Sequence, residues 1–248
     1  MLVAIAVPAA SAALPEVGRC VAVVKGAGKY KGGACITNAP SGGSFEWMPA
    51  TATEKQTFKG SGSSVVIATA GHPTLTCVTA NISGEYTGPK TATVELELQA
   101  CTEPSGKQCQ TTPAQPSEIK SVPLEAELGF IKREAPGMQV GLDLKPKSPL
   151  TTIATYECGT PTESARIEGS VIAAIKPLDK MTTVSDLLFR VSKKTGAQVP
   201  ENLEGAPKDT LSTTFMSGIE SSSGASTLSM LEEVGANTNP LEIKAKEL

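Results

Sequence analysis

Aromatic residues are scarce. The 248-residue chain carries one tryptophan, three tyrosines and five phenylalanines, 4% of its length. Val, Ile, Leu, Ala and Thr must therefore fill the interior, a composition that suits sheets better than an aromatic-lined pocket. Histidine is scarcer still: His72 stands alone, so the sequence offers no Cys/His metal cluster. No GxSxG surrounds any serine, and a Ser-His-Asp relay would have to use His72. Nothing like DxDxDG accompanies the acidic residues, which leaves a calcium loop unsupported. The Gly28-Lys29 pair imitates the end of a phosphate loop, but Val23 stands where glycine is required and Tyr30 where Ser or Thr would bind magnesium. There is no basic block either. A net charge of −3 and a pI near 5.4 argue against nucleic acid and anionic membrane surfaces as partners. No stretch beyond the N-terminus approaches the length of a membrane span.

Cysteines are present in an even number, at Cys20, Cys35, Cys77, Cys101, Cys109 and Cys158, and no pair has the CxxC spacing of a zinc or redox site. Three disulfides are the economical reading, and they imply an oxidising compartment. Of the fifteen possible connectivities, the favoured set is Cys20–Cys35, Cys101–Cys109 and Cys77–Cys158. The first two are local, and the third joins two strand-like segments across a long loop. The N-terminus agrees with export. MLVAIAVPAASA is apolar and small and ends in Ala10-Ser11-Ala12, an A-x-A cleavage pattern. Residues 1–13 thus read as the remnant of a signal peptide without its basic region; the alternative is a first strand interrupted by Pro8.

The clearest strand is Thr91–Cys101, TATVELELQAC. Its apolar side chains fall at Ala92, Val94, Leu96, Leu98 and Ala100, with Thr, Glu or Gln between them. Such alternation describes a strand with one face in a core and one in water, and places Cys101 on the wet parity. Ser64–Ala70 and Thr74–Ala80 flank Gly71-His72-Pro73, a hairpin signal that puts His72 at a solvated turn tip. Leu124–Lys132 and Val140–Leu144 alternate around Ala135-Pro136-Gly137. Arg166–Ile175 reads as a strand with Gly169 as a gap or bulge. Near the end, Thr227–Val234 and Leu241–Lys246 flank Gly235–Pro240, which predicts a hairpin. Some sixteen short strands indicate an all-β fold, an antiparallel β-sandwich or irregular barrel stapled by disulfides. One continuous domain over 14–248 is expected, with a weak lobe boundary near 110–122.

Candidate functional residues are few. Trp47, beside Phe45 on one strand face, reads as a core anchor. Glu125, Glu127 and Asp143 fall on wet faces, where cross-strand Lys and Arg would balance them. A glycosidase would need two of the carboxylates Glu85, Glu125, Glu127 and Asp143 at a defined separation, together with aromatic platforms. Neither a catalytic set nor a cofactor or metal site emerges from the residues.

Several pieces in order resemble a family of predicted secreted actinobacterial proteins. They are Gly18-Arg19-Cys20, Phe45-Glu46-Trp47, Gly84-Glu85-Tyr86-Thr87-Gly88, Gly129-Phe130-Ile131, Val140-Gly141-Leu142-Asp143-Leu144 and Gly169-Ser170-Val171-Ile172. Lys180-Met181-Thr182-Thr183, Pro207-Lys208-Asp209 and Leu241-Glu242-Ile243-Lys244 follow. The resemblance implies export and a common architecture, and it carries over no active site, cofactor or partner. The expectation is a monomeric, non-enzymatic β-protein, secreted or envelope-associated, that binds or builds. The alternative is an extracellular carbohydrate-active hydrolase using paired carboxylates.

Overall fold

Alternation along a strand decides which side chains can leave water together. In the computed structural model, described for residues 14–159 and 163–246, the chain meets that demand with strands alone. The expected signal-peptide remnant, residues 1–13, lies outside the described residues. Four strands come first: β1 (Glu16–Ala22), β2 (Gly28–Tyr30), β3 (Asn38–Gly43) and β4 (Phe45–Pro49), paired in the order β3-β2-β4-β1. Three longer strands follow, β5 (Thr57–Thr69), β6 (Leu75–Tyr86) and β7 (Thr91–Gln99). Next come β8 (Cys109–Gln110), β9 (Ile119–Lys120), β10 (Leu124–Lys132), β11 (Gln139–Pro146) and β12 (Thr152–Cys158). The chain continues through β13 (Glu163–Gly169), β14 (Val171–Lys176) and β15 (Thr182–Leu188). A small hairpin, β16 (Arg190–Val191) and β17 (Gln198–Val199), precedes β18 (Leu211–Ser217) and β19 (Glu220–Lys244). Among the described residues no helix is long and apolar enough to cross a membrane.

Eight of these strands close an antiparallel barrel, running β5-β6-β7-β10-β11-β14-β15-β19 and back to β5. The two sheet architectures expected from sequence thus narrow to the barrel. Its interior is filled by alternate residues such as Val94, Ala126, Leu142, Ala173 and Ile175, all buried. Small and large side chains mix, as a narrow barrel requires, and about 20 Å³ is left free there.

The long strands β5, β6, β7 and β19 run on past this ring and pair with a second set. β9 lies on β7, Ser121 bridges to Ala154 of β12, and β13 and β18 lead back to β19. The second circuit encloses Ile67, Leu98, Ile119, Ile153, Ile167 and Phe189, with about 30 Å³ free. Ser121 is polar there, but its Oγ already accepts the Leu96 N–H at 3.0 Å. Residues 110–122 therefore carry strand pairings that help close this circuit. Neither interior has room for more than a water or two.

Three local expectations change. Arg166–Ile175 is two strands, because Gly169 adopts a φ of +101° and the chain steps there from one circuit to the other. A Cβ at Gly169 would run into the Thr210 carbonyl oxygen, so the position demands glycine. The predicted C-terminal hairpin is instead one strand of 25 residues. Gly235, Ala236 and Asn237 pair with β5, Gly235 and Ala236 also pair with β15, and Glu242–Lys244 pair with β1. Paired on both sides, the Gly/Asn/Pro segment is held extended despite its turn composition.

The disulfides are also re-paired. Cys20–Cys35 forms as expected, but the other two are Cys77–Cys101 and Cys109–Cys158. Ala100 at φ +54° interrupts the alternation of β7, so Cys101 turns from the wet parity into the core and meets Cys77. Cys109 and Cys158 are direct cross-strand partners, which brings their Cα atoms to 4.1 Å.

The four-strand N-terminal sheet joins the barrel where Glu16 and Gly18 face Lys244 and Glu242. Trp47 is the core anchor expected, and its Nε1–H donates to the buried Glu16 carboxylate at 2.6 Å. The Lys244 ammonium lies 4.8 Å from the centroids of both Tyr30 and Trp47.

A candidate binding groove at the barrel mouth

At the end of the second circuit, strand parity aims several side chains at one space. Phe215 follows Leu211 and Thr213 on the inward face of β18, but sits beyond the packed interior. Its neighbours on that face are Ala165, its register partner, Tyr156, which faces Ala165 from β12, and Ser222 of β19. The β5–β6 turn closes over them, and the His72 ring stacks on Phe215 with centroids 4.3 Å apart and planes 13° apart. The result is a groove of about 450 Å³ at the mouth of the second circuit.

The facing wall is the segment between β7 and β8. Cys77–Cys101 ties its start to β6, and Cys109–Cys158 ties its end to β12. Glu103 and Lys107 project from it into the groove lining. Lys107 pairs with Glu163 of β13 at 2.8 Å and with Glu103 at 3.7 Å, contacts that raise its pKa. Glu220 completes the lining and makes no ion pair among the described residues. Three carboxylates thus face one ammonium.

Tyr156 is the group that stands out in this lining. It is 4% exposed, and its hydroxyl makes no hydrogen bond among the described residues. Burial, helped by the charge of Glu103, pushes its pKa up to about 12, so the phenol keeps its proton. The ring is buried, but the hydroxyl is not among the buried unpartnered polar atoms, so it opens onto the groove and is available to a ligand. Below it, Thr69, Ser226 and Thr213 satisfy one another through hydroxyl contacts of 2.8 Å.

The carboxylates singled out from sequence converge only in part. Glu127 and Asp143 are cross-strand partners on β10 and β11, and Lys145 holds both, at 2.9 and 3.5 Å. Glu127 is exposed, whereas Asp143, expected on the wet face, is buried. A second groove of about 540 Å³ contains both, with Asp209, whose carboxylate accepts the Ser170 hydroxyl. Burial first, and Asp209 second, raise Asp143 to about 6 against the pull of Lys145. Glu125 faces Lys145 and Glu85 faces Thr57, both outside that lining. His72, expected as a solvated turn tip, is half-buried against Phe215; its ring makes no hydrogen bond among the described residues. Among those residues no group of three His, Cys, Asp or Glu could hold a metal ion.

No family model, curated protein or solved structure matches this chain. The two grooves are the places where a ligand could sit. Of their residues, sequence reasoning missed Tyr156, Glu163, Phe215 and Glu220. A Phe placed just past the apolar half of an alternating strand, as in Leu211-Ser212-Thr213-Thr214-Phe215, was the signal available.

Proposed function

We propose that the protein acts by binding: a non-enzymatic β-protein, exported and either free or envelope-associated, with its ligand seated at the mouth of the second circuit. Three disulfides support an oxidising compartment, in keeping with the secreted family that the sequence resembles. The observation that carries the reading is the Tyr156 hydroxyl, which opens without a protein partner into the groove of about 450 Å³ that His72 and Phe215 also line. Barrel mouths are favoured ligand sites because rigid strands fix the walls while the interior stays packed. Here two disulfides hold the irregular part, the Cys101–Cys109 segment, in the same way. Titrating isotope-labelled protein with a fragment library should move the amide signals of His72, Ala165, Phe215 and Ser217 together. Phe215→Ala should then weaken such binding at least about tenfold and leave the fold intact, since Phe215 is only partly buried. Fragments that locate elsewhere, or an unchanged affinity in that variant, would overturn the reading.

A second reading, hydrolysis of glycosides, has one observation in its favour. Asp143, raised to about 6 by burial, shares a groove with the carboxylates of Glu127 and Asp209, the residue types that paired-carboxylate chemistry requires. Against it, Lys145 ties up both Asp143 and Glu127, and no aromatic side chain lines that groove to carry a sugar ring. A glycosidase activity lost in Asp143→Asn, with unchanged fold, would move the function here.

A further inference from the structure

The geometry points to an organic cation with a flat or apolar body as the ligand of the barrel mouth; this rests on the binding reading above. Four features of the lining converge on that class. The carboxylates of Glu103, Glu163 and Glu220 outnumber the single ammonium of Lys107, so the groove carries excess negative charge. Lys107 engages Glu103 and Glu163, which leaves Glu220, at the rim, as the carboxylate without a partner among the described residues. Phe215, stacked with His72 on one face, adds aromatic surface, and the electron-rich face of such a ring attracts cations and apolar groups alike. Tyr156, buried and keeping its proton, offers an acceptor oxygen to an ammonium or guanidinium as well as a donor hydrogen.

The remaining lining sets the rest of the chemistry. Ala165, Met216 and the Cys158 sulfur form an apolar bed, while Ser221 and Ser222 place hydroxyls at one side. An anion would meet the carboxylates uncompensated. A bare metal ion lacks its ligand set, because among the described residues no three His, Cys, Asp or Glu are placed so that they could hold one. An organic cation satisfies the phenol, the free carboxylate and the aromatic surface at once.

Three probes on a common phenylethyl body separate the possibilities: 2-phenylethylammonium, 2-phenylethanol and 3-phenylpropionate, each titrated by NMR at low ionic strength. The ammonium should bind about tenfold or more tighter than the alcohol, and the carboxylate most weakly. Glu220→Gln, at an exposed position, should reduce ammonium affinity several-fold and leave the alcohol unchanged. Tyr156→Phe should weaken both, because each uses the hydroxyl. Raising the salt concentration should erode the preference, as expected of a charge-based one. If the alcohol or carboxylate binds as tightly as the ammonium, the cation inference falls and the binding reading stands. If none of the three shifts the groove signals, both fall.

Discussion

Glu242 shows how much a single side chain can set. It is 2% exposed at the seam between the N-terminal sheet and the barrel, and one of its oxygens has no hydrogen-bond partner. Burial and then Asp179 push its carboxyl up to about 7, with Lys244 opposing. Glu16, across the same seam, is also raised, by burial against the pull of Trp47, Lys244 and Lys90. A raised acid favours the folded state in its protonated form. The folded protein then holds more protons than the unfolded chain, so stability is full below about pH 4.5 and falls as the pH rises toward 7. Asp143 adds to the same slope between about pH 4 and 6. Urea titrations should therefore show lower stability at pH 8 than at pH 4.5, with Glu242 contributing at most about 3 kcal/mol of the difference. Glu242→Gln should recover part of it at pH 8 and change little at pH 4.5. An unchanged pH slope in that variant would remove Glu242 from the account. None of this was legible in the sequence, where Leu241-Glu242-Ile243-Lys244 has the alternation of an ordinary half-exposed strand. Pairing with β1 covers the charged face that alternation assigns to water.

At the scale of elements, the alternating pattern is a reliable guide where both faces of a strand meet different environments. β7 buries Ala92, Val94 and Leu98 and exposes Thr91, Thr93 and Glu95, as its alternation demands. The β5–β6 and β10–β11 hairpins are likewise written in their turns. Where pairing on both sides overrides turn composition, the pattern misleads, and β19 is the example. The cysteines fail for a related reason: their pairing depends on Ala100 reversing the parity of β7, which no spacing rule reveals. The corrected pairing has an energetic consequence. Cys109–Cys158 spans 49 residues and Cys20–Cys35 spans 15. By loop entropy the first should contribute about 4 kcal/mol and the second about 3. A Cys109→Ala/Cys158→Ala double variant should also release one end of the Glu103–Lys107 wall and weaken binding at the mouth. The Cys20→Ala/Cys35→Ala pair should lower stability and leave that binding alone. Equal losses of affinity in both variants would show that the mouth senses global stability and not its own staple.

The whole molecule is organised by closure. The barrel closes around eight strands, and the second circuit returns to β5 and β19, so the long central strands present no unpaired edge. This closure also explains why the groove could not be read from the chain. The His72 turn, the β12–β13 hairpin with Tyr156 and Glu163, and Phe215 lie far apart in sequence, and only ring formation brings them to one mouth. It bears equally on association. A terminal strand held only in a local hairpin could be lent to a neighbouring molecule. In the structure, the last part of β19 is threaded between β15 and β5 and then paired with β1, so lending it to a neighbour would open the barrel. The outer edge of the N-terminal sheet, β3, is six residues long, contains Pro40, and holds Gly42 at φ +92°, features that discourage pairing with another chain. Sedimentation velocity of the protein should therefore give one species near 25.5 kDa, unchanged over a hundredfold range of concentration. Removing residues 240–248 should unfold that species cooperatively or lower its stability by several kcal/mol, because the pairing with β1 is lost. Soluble chains of molecules that such a deletion converts into stable monomers would instead show that β19 pairs between copies.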